Sequence, residues 1–305
     1  MVITIVIPIY NRKELLNRTL NSILESTFRP IKMILVDNGS TDGSMELCEE
    51  FKKKYESETI EITIAQESRN GACCARNKGL DLCTTEYVYF FDSDDLFDKD
   101  FLHDCSQVFE NEKPDMLICK TNMCYKGQTN VRFQKKTTEC KYQILASMLS
   151  TQSMVFKKDY LLKIGKWNED VLKWNDWELG VRALINNPTI AWLTDKAYHT
   201  VFVHENSITG KNFSGKYKDE LNAIDAVYNV LTNQHDKDKL ILRAYILLGL
   251  LEKEKHSEAI QACKQYINQK FGNRKHLQGS LLAKYVGLGG RAAWRLALIL
   301  YASSG

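Results

Sequence analysis

Several features are missing from this 305-residue chain, and each absence removes a class of protein. No uninterrupted apolar run approaches the ~18 residues that an ordinary transmembrane helix needs. The opening "MVITIVIPIY" is apolar but lacks a basic lead-in and a small-residue cleavage site, so it reads as a strand and not as a signal peptide. Nine cysteines are present, yet none stands in a C-x-x-C pair, which argues against a zinc knuckle. Most of them sit in apolar or helical stretches, where a free thiol behaves as a small hydrophobe. That points to reduced thiols and a cytoplasmic location. No G-x-G-x-x-G pattern occurs, so no Rossmann dinucleotide loop is expected. Low-complexity linkers and internal repeats are absent as well. Acidic residues stop at Glu258, while Lys264, Lys270, Arg274, Lys275, Lys284, Arg291 and Arg295 continue beyond it. The chain as a whole carries a net charge of only +3 and shows no footprint for nucleic acid.

What is present is an alternation. "VITIVIPIYN" is a continuous β-branched run, the pattern of a strand buried on both faces. "NRKELLNRTLNSILES" then repeats Leu15, Leu16, Leu20, Ile23 and Leu24 at helical spacing. "IKMILVDNGSTD", "IEITIAQES" and "EYVYFFDSDD" read as further strands, separated by the helical stretches "GSMELCEEFKKKYE" and "NGACCARNKGLDLC". Such alternation predicts an α/β protein with a parallel sheet and helices on both faces. From about Asp115 it loosens. "MLICKTNMCY" and the start of "TQSMVFKKDYLLKIGKWNED" read as strands, "NDWELGVRALINN" as a helix, and "AWLTDKAYHTVFVHENSIT" as two short strands. After Phe213 four helices are expected, the last being "SLLAKYVGLGGRAAWRLALIL". A boundary falls near residue 212, giving a catalytic domain over 1–212 and a helical extension over 213–305.

Three strands end in polar groups: Tyr10–Asn11, Asp37–Asn38, and Asp92 to Asp95. In open α/β sheets ligands bind at the carboxyl ends of strands, so this edge is the expected site. Asp92, Asp94 and Asp95 repel one another unless something cationic joins them, and a hard divalent cation with oxygen ligands would do so. The alternative is an Asp-rich turn capping the next helix. "VDNGSTDGS" offers a nucleotide contact or simply a βα loop. Arg69 and Arg76 reach a phosphate near a helix start or make surface ion pairs. Asp176 is a helix cap or a general base. Trp167, Trp174 and Trp177 are core or a wall for stacking an acceptor. His204, framed by an apolar strand and a turn, is a satisfied core residue or a metal ligand beside the Asp cluster.

Taken together, "VIPIYNR", "ILVDNGSTD", "NGACCARNKGL", "YFFDSDD", "KWNDWELGVRAL" and "HENS" resemble glycosyltransferase family 2, the inverting enzymes of the GT-A fold, across about residues 1–210. The resemblance implies a mostly parallel nucleotide-binding sheet flanked by helices. It implies transfer of a hexosyl or N-acetylhexosaminyl group from a nucleotide-diphosphate sugar, a UDP-sugar, to a saccharide or lipid-linked acceptor in polysaccharide or glycolipid assembly. Asp92, Asp94 and Asp95 would serve the sugar nucleotide and Mg2+ or Mn2+, with Asp94, Asp95 and His204 as the metal side. Pro8, Tyr10, Asp37, Asn38 and Arg76 would contact the donor, Asp176 would be the base, and Trp174, Trp177 and Arg182 would face the acceptor. Two departures stand out: Asp37-Asn38-Gly39-Ser40 where the family often has Asp-Asp-Gly-Ser, and Asn175 where the Glu of the catalytic pair is usual. The rival readings are a nucleotidyltransferase, although "IPIYNRKE" has no glycine for a phosphate loop, and a non-catalytic binding protein on the same fold. In the basic tail, Arg291 and Arg295 on one helical face and Trp294, Leu298 and Tyr301 on another suit a helix lying on the inner face of an anionic membrane. The alternative there is a terminal helix packed on the rest of the chain.

Overall fold

A computed structural model describes residues 2–203 and 213–302. In chain order the elements are β1 (Ile3–Ile9), α1 (Lys13–Leu24), β2 (Ile31–Asp37), α2 (Ser44–Tyr55), β3 (Ile60–Gln66), α3 (Ala72–Leu82), β4 (Tyr87–Phe90) and α4 (Phe101–Asn111). They continue as β5 (Met116–Tyr125), β6 (Gln128–Val131), α5 (Cys140–Ala146), β7 (Met154–Lys157), α6 (Lys158–Lys163), α7 (Asn175–Ile185) and β8 (Ile190–Phe202). Five helices follow: α8 (Tyr217–Val230), α9 (Gln234–Glu254), α10 (Ser257–Phe271), α11 (His276–Gly287) and α12 (Ala293–Ala302).

The strands form one sheet in the order β3-β2-β1-β4-β7-β5-β6, with β8 pairing β5. β3, β2, β1 and β4 run parallel, so their carboxyl ends share one edge. β7 is antiparallel to β4 and to β5, while β8 runs parallel to β5. The β-branched runs are buried as expected: Ile5, Ile7 and Leu35 join Tyr89, Phe91 and Phe101 in one apolar core. On the sheet's other side α3 lies against β1. A Cβ at Gly79 would come within 2.3 Å of a Val6 methyl, so only glycine permits that approach. The approach fixes where α3 presents Arg76 and Asn77.

Two expectations change. The stretch after Ala191 is not two strands but the single 13-residue β8, with register shifts opposite Cys119/Lys120 and Thr121/Asn122. Thr194, Asp195 and Lys196 look like a turn because the strand bulges there; bulging lets polar residues sit in a continuous strand. The last expected helix is two, because the chain turns at Gly289, whose φ is 89°, and at Ala292. Arg291 therefore lies outside α12, and the two-faced helix read across 291–301 does not form.

The chain also divides differently from a cut at residue 212. One compact unit comprises Met1–Lys136, Leu149–Leu172 and Asn186–His204, and the other Thr137–Met148, Lys173–Ile185 and Glu205–Gly305. The segments carrying α5 and α7 thus pack with the C-terminal helices. In that unit Gln143 Nε2 of α5 donates to the Trp177 carbonyl of α7 at 3.2 Å. A Cβ at Gly180 would lie 2.4 Å from the same amide nitrogen.

Candidate active site

The acidic turn begins where β4 leaves the sheet. Asp92 accepts from Arg76 Nη2 at 2.8 Å through one oxygen and from Gln152 Nε2 at 2.7 Å through the other. The same Gln152 nitrogen donates to Asp95 Oδ2 at 2.5 Å, and the Phe202 amide donates to Asp95 Oδ1 at 2.9 Å. One amide group thus bridges two carboxylates. Asp94 faces Arg12, Nε to Oδ2 at 3.4 Å, and its carbonyl accepts from Arg18 Nη2 at 2.6 Å. Thr19 Oγ1 closes the turn on the Asp95 carbonyl at 2.8 Å. Burial first, and then the charges of Asp92 and Asp94, raise the Asp95 carboxyl to about 9. The repulsion that the sequence raises is answered by two guanidinium groups and one amide bridge, and it shows in the raised titration of Asp95.

This arrangement sorts the three acids. Asp95 is 1% exposed with both oxygens engaged, and it builds the turn. The side chains of Asp92 and Asp94 keep 31% and 18% exposure. Among the described residues no three His, Cys, Asp or Glu side chains converge as a metal cage. One or two carboxylates do fit a hard cation that takes its remaining oxygens from a diphosphate, the habit of Mg2+. Asp94 is the better-placed ligand of the two expected in the turn, and Asp95 becomes a supporting group.

The ends of β1 and β2 are stitched together beside it. Asn11 Oδ1 accepts from the Thr41 amide at 2.8 Å, and the Arg12 amide donates to Ser44 Oγ at 2.9 Å. Pro8 pairs with Val36 inside the sheet, and Tyr10 beyond it is 58% exposed, a free ring at the strand end. Asp37 accepts from the Gly39 and Ser40 amides at 3.1 and 3.2 Å. Asn38 is turned inward. Its Nδ2 donates to the Glu67 and Arg69 carbonyls at 2.8 and 2.7 Å, and its Oδ1 accepts from the Gly71 amide at 2.8 Å. That explains the departure at this position, since a carboxylate has no hydrogen to give those two carbonyls. Asn38 therefore shapes the loop leading into α3 and is not the donor contact expected of it.

Arg76 is 4% exposed and its guanidinium lies 4.4 Å from the Trp167 ring centroid. Asn77 brackets the backbone of Trp167, donating to its carbonyl at 2.9 Å and accepting from its amide at 3.0 Å. Arg76 is thus a strut under Asp92 as well as a positive charge beside it. Glu67 is held down to about 2 by hydrogen bonds from Arg69.

Four further predicted residues, Trp174, Asp176, Trp177 and Arg182, belong to the second unit. Asp176 stands in the first turn of α7, half-buried, its Oδ1 accepting from the Trp177 amide at 2.8 Å. Trp174 is half-buried with Arg243 stacked 4.3 Å from its centroid. Trp177 is 1% exposed and its Nε1 donates to the Ile144 carbonyl at 3.1 Å, so it is core and not an acceptor wall. Arg182 makes two 2.7 Å bonds to Glu178 and is 8% exposed, so it holds α7 together instead of facing an acceptor.

Comparison with known proteins decides the family. Residues 4–167 match the Glycosyl transferase family 2 profile. The chain belongs to this family. The glycosyltransferase GlyG of Streptococcus pneumoniae is 34% identical over 116 residues, 38% of each chain. The poly(ribitol-phosphate) beta-N-acetylglucosaminyltransferase TarS of Staphylococcus aureus is 23% identical over 222 residues, 71% of this chain and 38% of its own. The chain thus matches well under half the length of these curated relatives. A crystal structure of TarS residues 1–349 with UDP-GlcNAc superposes with a TM-score of 0.72 at 20% identity, covering 99% of this chain and 92% of that one. A mannosyltransferase from Pyrobaculum calidifontis with GDP-Man and Mn2+ reaches 0.60 at 16% identity, covering 99% and 86%. These likenesses establish the GT-A fold, a central, mostly parallel sheet flanked by helices with a helical C-terminus.

Against the family 2 pattern, His204 lies outside the described residues. A different histidine matters to the turn. His199 is 2% exposed among the rings of Tyr89, Phe91, Phe97 and Phe101. Its Nδ1 accepts from the Asp98 amide at 3.1 Å, which places the proton on Nε2. The Leu96 and Thr200 backbones exchange bonds of 3.0 and 2.9 Å next to it. With the Phe202 amide on Asp95, β8 clasps the whole acidic loop. Burial, and then the Lys196 charge, lower the His199 imidazole to about 3. Sequence reasoning missed Gln152, Arg12, Arg18 and His199. Arg12 closes the first-strand motif "VIPIYNR" but is not singled out there; Arg18, Gln152 and His199 lie in no strand-end motif, although "NRKELLNR" does show two arginines one helical turn or two from the site edge. Asp98 Oδ1 accepts from the Asp100 amide at 3.0 Å, while Asp100, at the N-cap of α4, makes no side-chain capping bond.

Proposed function

We propose that this chain transfers a hexosyl or N-acetylhexosaminyl group from a UDP-sugar to a hydroxyl of a saccharide or lipid-linked acceptor, with inversion, in surface-polysaccharide or glycolipid assembly at the cytoplasmic face of the membrane. The observation that carries the reading is the braced carboxylate turn at the end of β4, on the same edge as Tyr10 and Asp37. Tyr10 offers a ring for the base. Asp92 and Asp94 offer oxygens toward the diphosphate side, and Arg12 and Arg18 place positive charge at the same turn. Mg2+ or Mn2+ held through Asp94 would neutralise charge on the departing diphosphate.

Asp176 would accept the proton of the acceptor hydroxyl as its oxygen bonds to the anomeric carbon. The bond from that carbon to the diphosphate oxygen breaks, and its electron pair leaves with the nucleotide. One displacement gives inversion. Relatives named for teichuronic acid and amylovoran biosynthesis support the acceptor class. A thermal-shift screen of UDP- and GDP-sugars with and without Mn2+ tests the donor. A selective, metal-dependent rise for one sugar nucleotide supports the reading, because a ligand bound only by the folded state stabilises it by mass action. No shift with any donor would remove it.

A further inference from the structure

The second unit carries an apolar surface that the transfer reaction does not use. Helix α11 buries Gly279, Leu282, Ala283 and Val286. Its opposite side is apolar too: Leu277 is 72% exposed, Leu281 52% and Tyr285 39%, and Leu288 just past the helix end is 82% exposed. At 100° per residue these positions fall in one line along the helix. Single exposed leucines are ordinary, whereas a continuous row on a helix already apolar on its packed side marks a face that something covers.

The charge around the row says what covers it. No acidic residue follows Glu258. Three of the seven cations beyond it are spent internally, Lys264 on Glu252, Lys270 on Asp225 and Arg274 on Asp238. Among the described residues Lys284, Arg291 and Arg295 have no carboxylate partner. Lys284 lies on the apolar face itself, one residue before Tyr285, and Tyr285 Oη donates to the Arg291 carbonyl at 2.8 Å, which holds that arginine's backbone beside the row. A second copy of the chain would set these cations against their own kind. An anionic lipid surface takes both features, leucines into the acyl boundary and cations among the headgroups.

We infer that α11 and the turn after it form a membrane-docking face, with Leu277, Leu281, Tyr285 and Leu288 entering the interface and Lys284, Arg291 and Arg295 holding anionic headgroups. This gives a surface to the membrane location proposed above. Vesicle binding is measured without turnover, so its failure would leave the transfer reading standing.

The test is flotation of the full chain with vesicles of phosphatidylcholine containing 30% phosphatidylglycerol, and with phosphatidylcholine alone. The chain should float with the anionic vesicles and not with the neutral ones. Leu277→Glu with Leu281→Glu should lower partitioning at least ~30-fold, and Lys284→Glu with Arg291→Glu about as much, each lost basic residue costing roughly fivefold. These surface changes should leave circular dichroism and donor-induced thermal shifts unaltered. Absence of flotation, equal flotation of the variants, or a light-scattering dimer that the leucine variant abolishes would each overturn the proposal.

Discussion

Replacing His199 by Gln should remove an acid-sensitive latch from the loop that carries the carboxylates. In the folded chain the imidazole titrates at about 3 because it is buried among four rings. In the unfolded chain it titrates near ~6.5. Between those values the unfolded state holds a proton that the folded state lacks. The stability from His199 is therefore full above ~6.5 and is lost as pH falls toward 3. The loss comes to about 1.4 kcal/mol at pH 5.5 and about 2.7 kcal/mol at pH 4.5. Gln offers an acceptor for the Asp98 amide but does not titrate. Its poorer packing costs about 1–3 kcal/mol at every pH. Urea unfolding of both proteins at pH 7.5, 6.5, 5.5 and 4.5 separates the two effects. The wild-type chain should lose its lead on acidification, so that the gap narrows by about 2.7 kcal/mol across the series. A gap that stays constant with pH would refute the buried neutral imidazole.

Further outcomes follow from the same geometry. Asp176→Asn should bind sugar nucleotide normally and lose at least ~100-fold in turnover, read by calorimetry and by product formation. Gln152→Leu strips the shared donor from Asp92 and Asp95 and should lower unfolding free energy by about 2–4 kcal/mol, with the thermal midpoint falling accordingly. Asn38→Asp restores the commoner family motif yet loses two bonds to backbone carbonyls. It should destabilise by about 1–3 kcal/mol without tightening nucleotide binding, and a tighter complex would mean that position 38 does meet the donor.

Much of this was legible in the residues, for physical reasons. Runs such as "ITIVIPI" can only be strands buried on both faces, and strands of that kind impose a parallel sheet whose polar ends meet at one edge. What stayed hidden depended on tertiary partners. Asp92, Asp94 and Asp95 are alike as letters, but only burial and the bond from the Phe202 amide separate Asp95, the structural acid, from the other two. Gln152 itself sits in a short turn before β7 with no periodic signal around it. Trp177 reads as a recognition residue because its partner, the Ile144 carbonyl, becomes meaningful only once α5 and α7 pack, whereas the Arg182–Glu178 pair lies at i,i+4 spacing within α7 itself. The exposed row on α11 has no sequence signature, because the helix is apolar on both its packed and its outer side and only packing tells them apart.

The central claim is a diphosphate held through a cation at Asp94. Calorimetric titration of the selected sugar nucleotide tests it most directly, run on wild-type chain and Asp94→Asn, each with Mn2+ and with chelator. The account predicts wild-type binding that weakens at least ~10-fold on chelation. It also predicts that the Asp94→Asn protein binds equally weakly with and without the metal. Binding that ignores Mn2+ in the wild-type chain, or that keeps its metal dependence in Asp94→Asn, would contradict it.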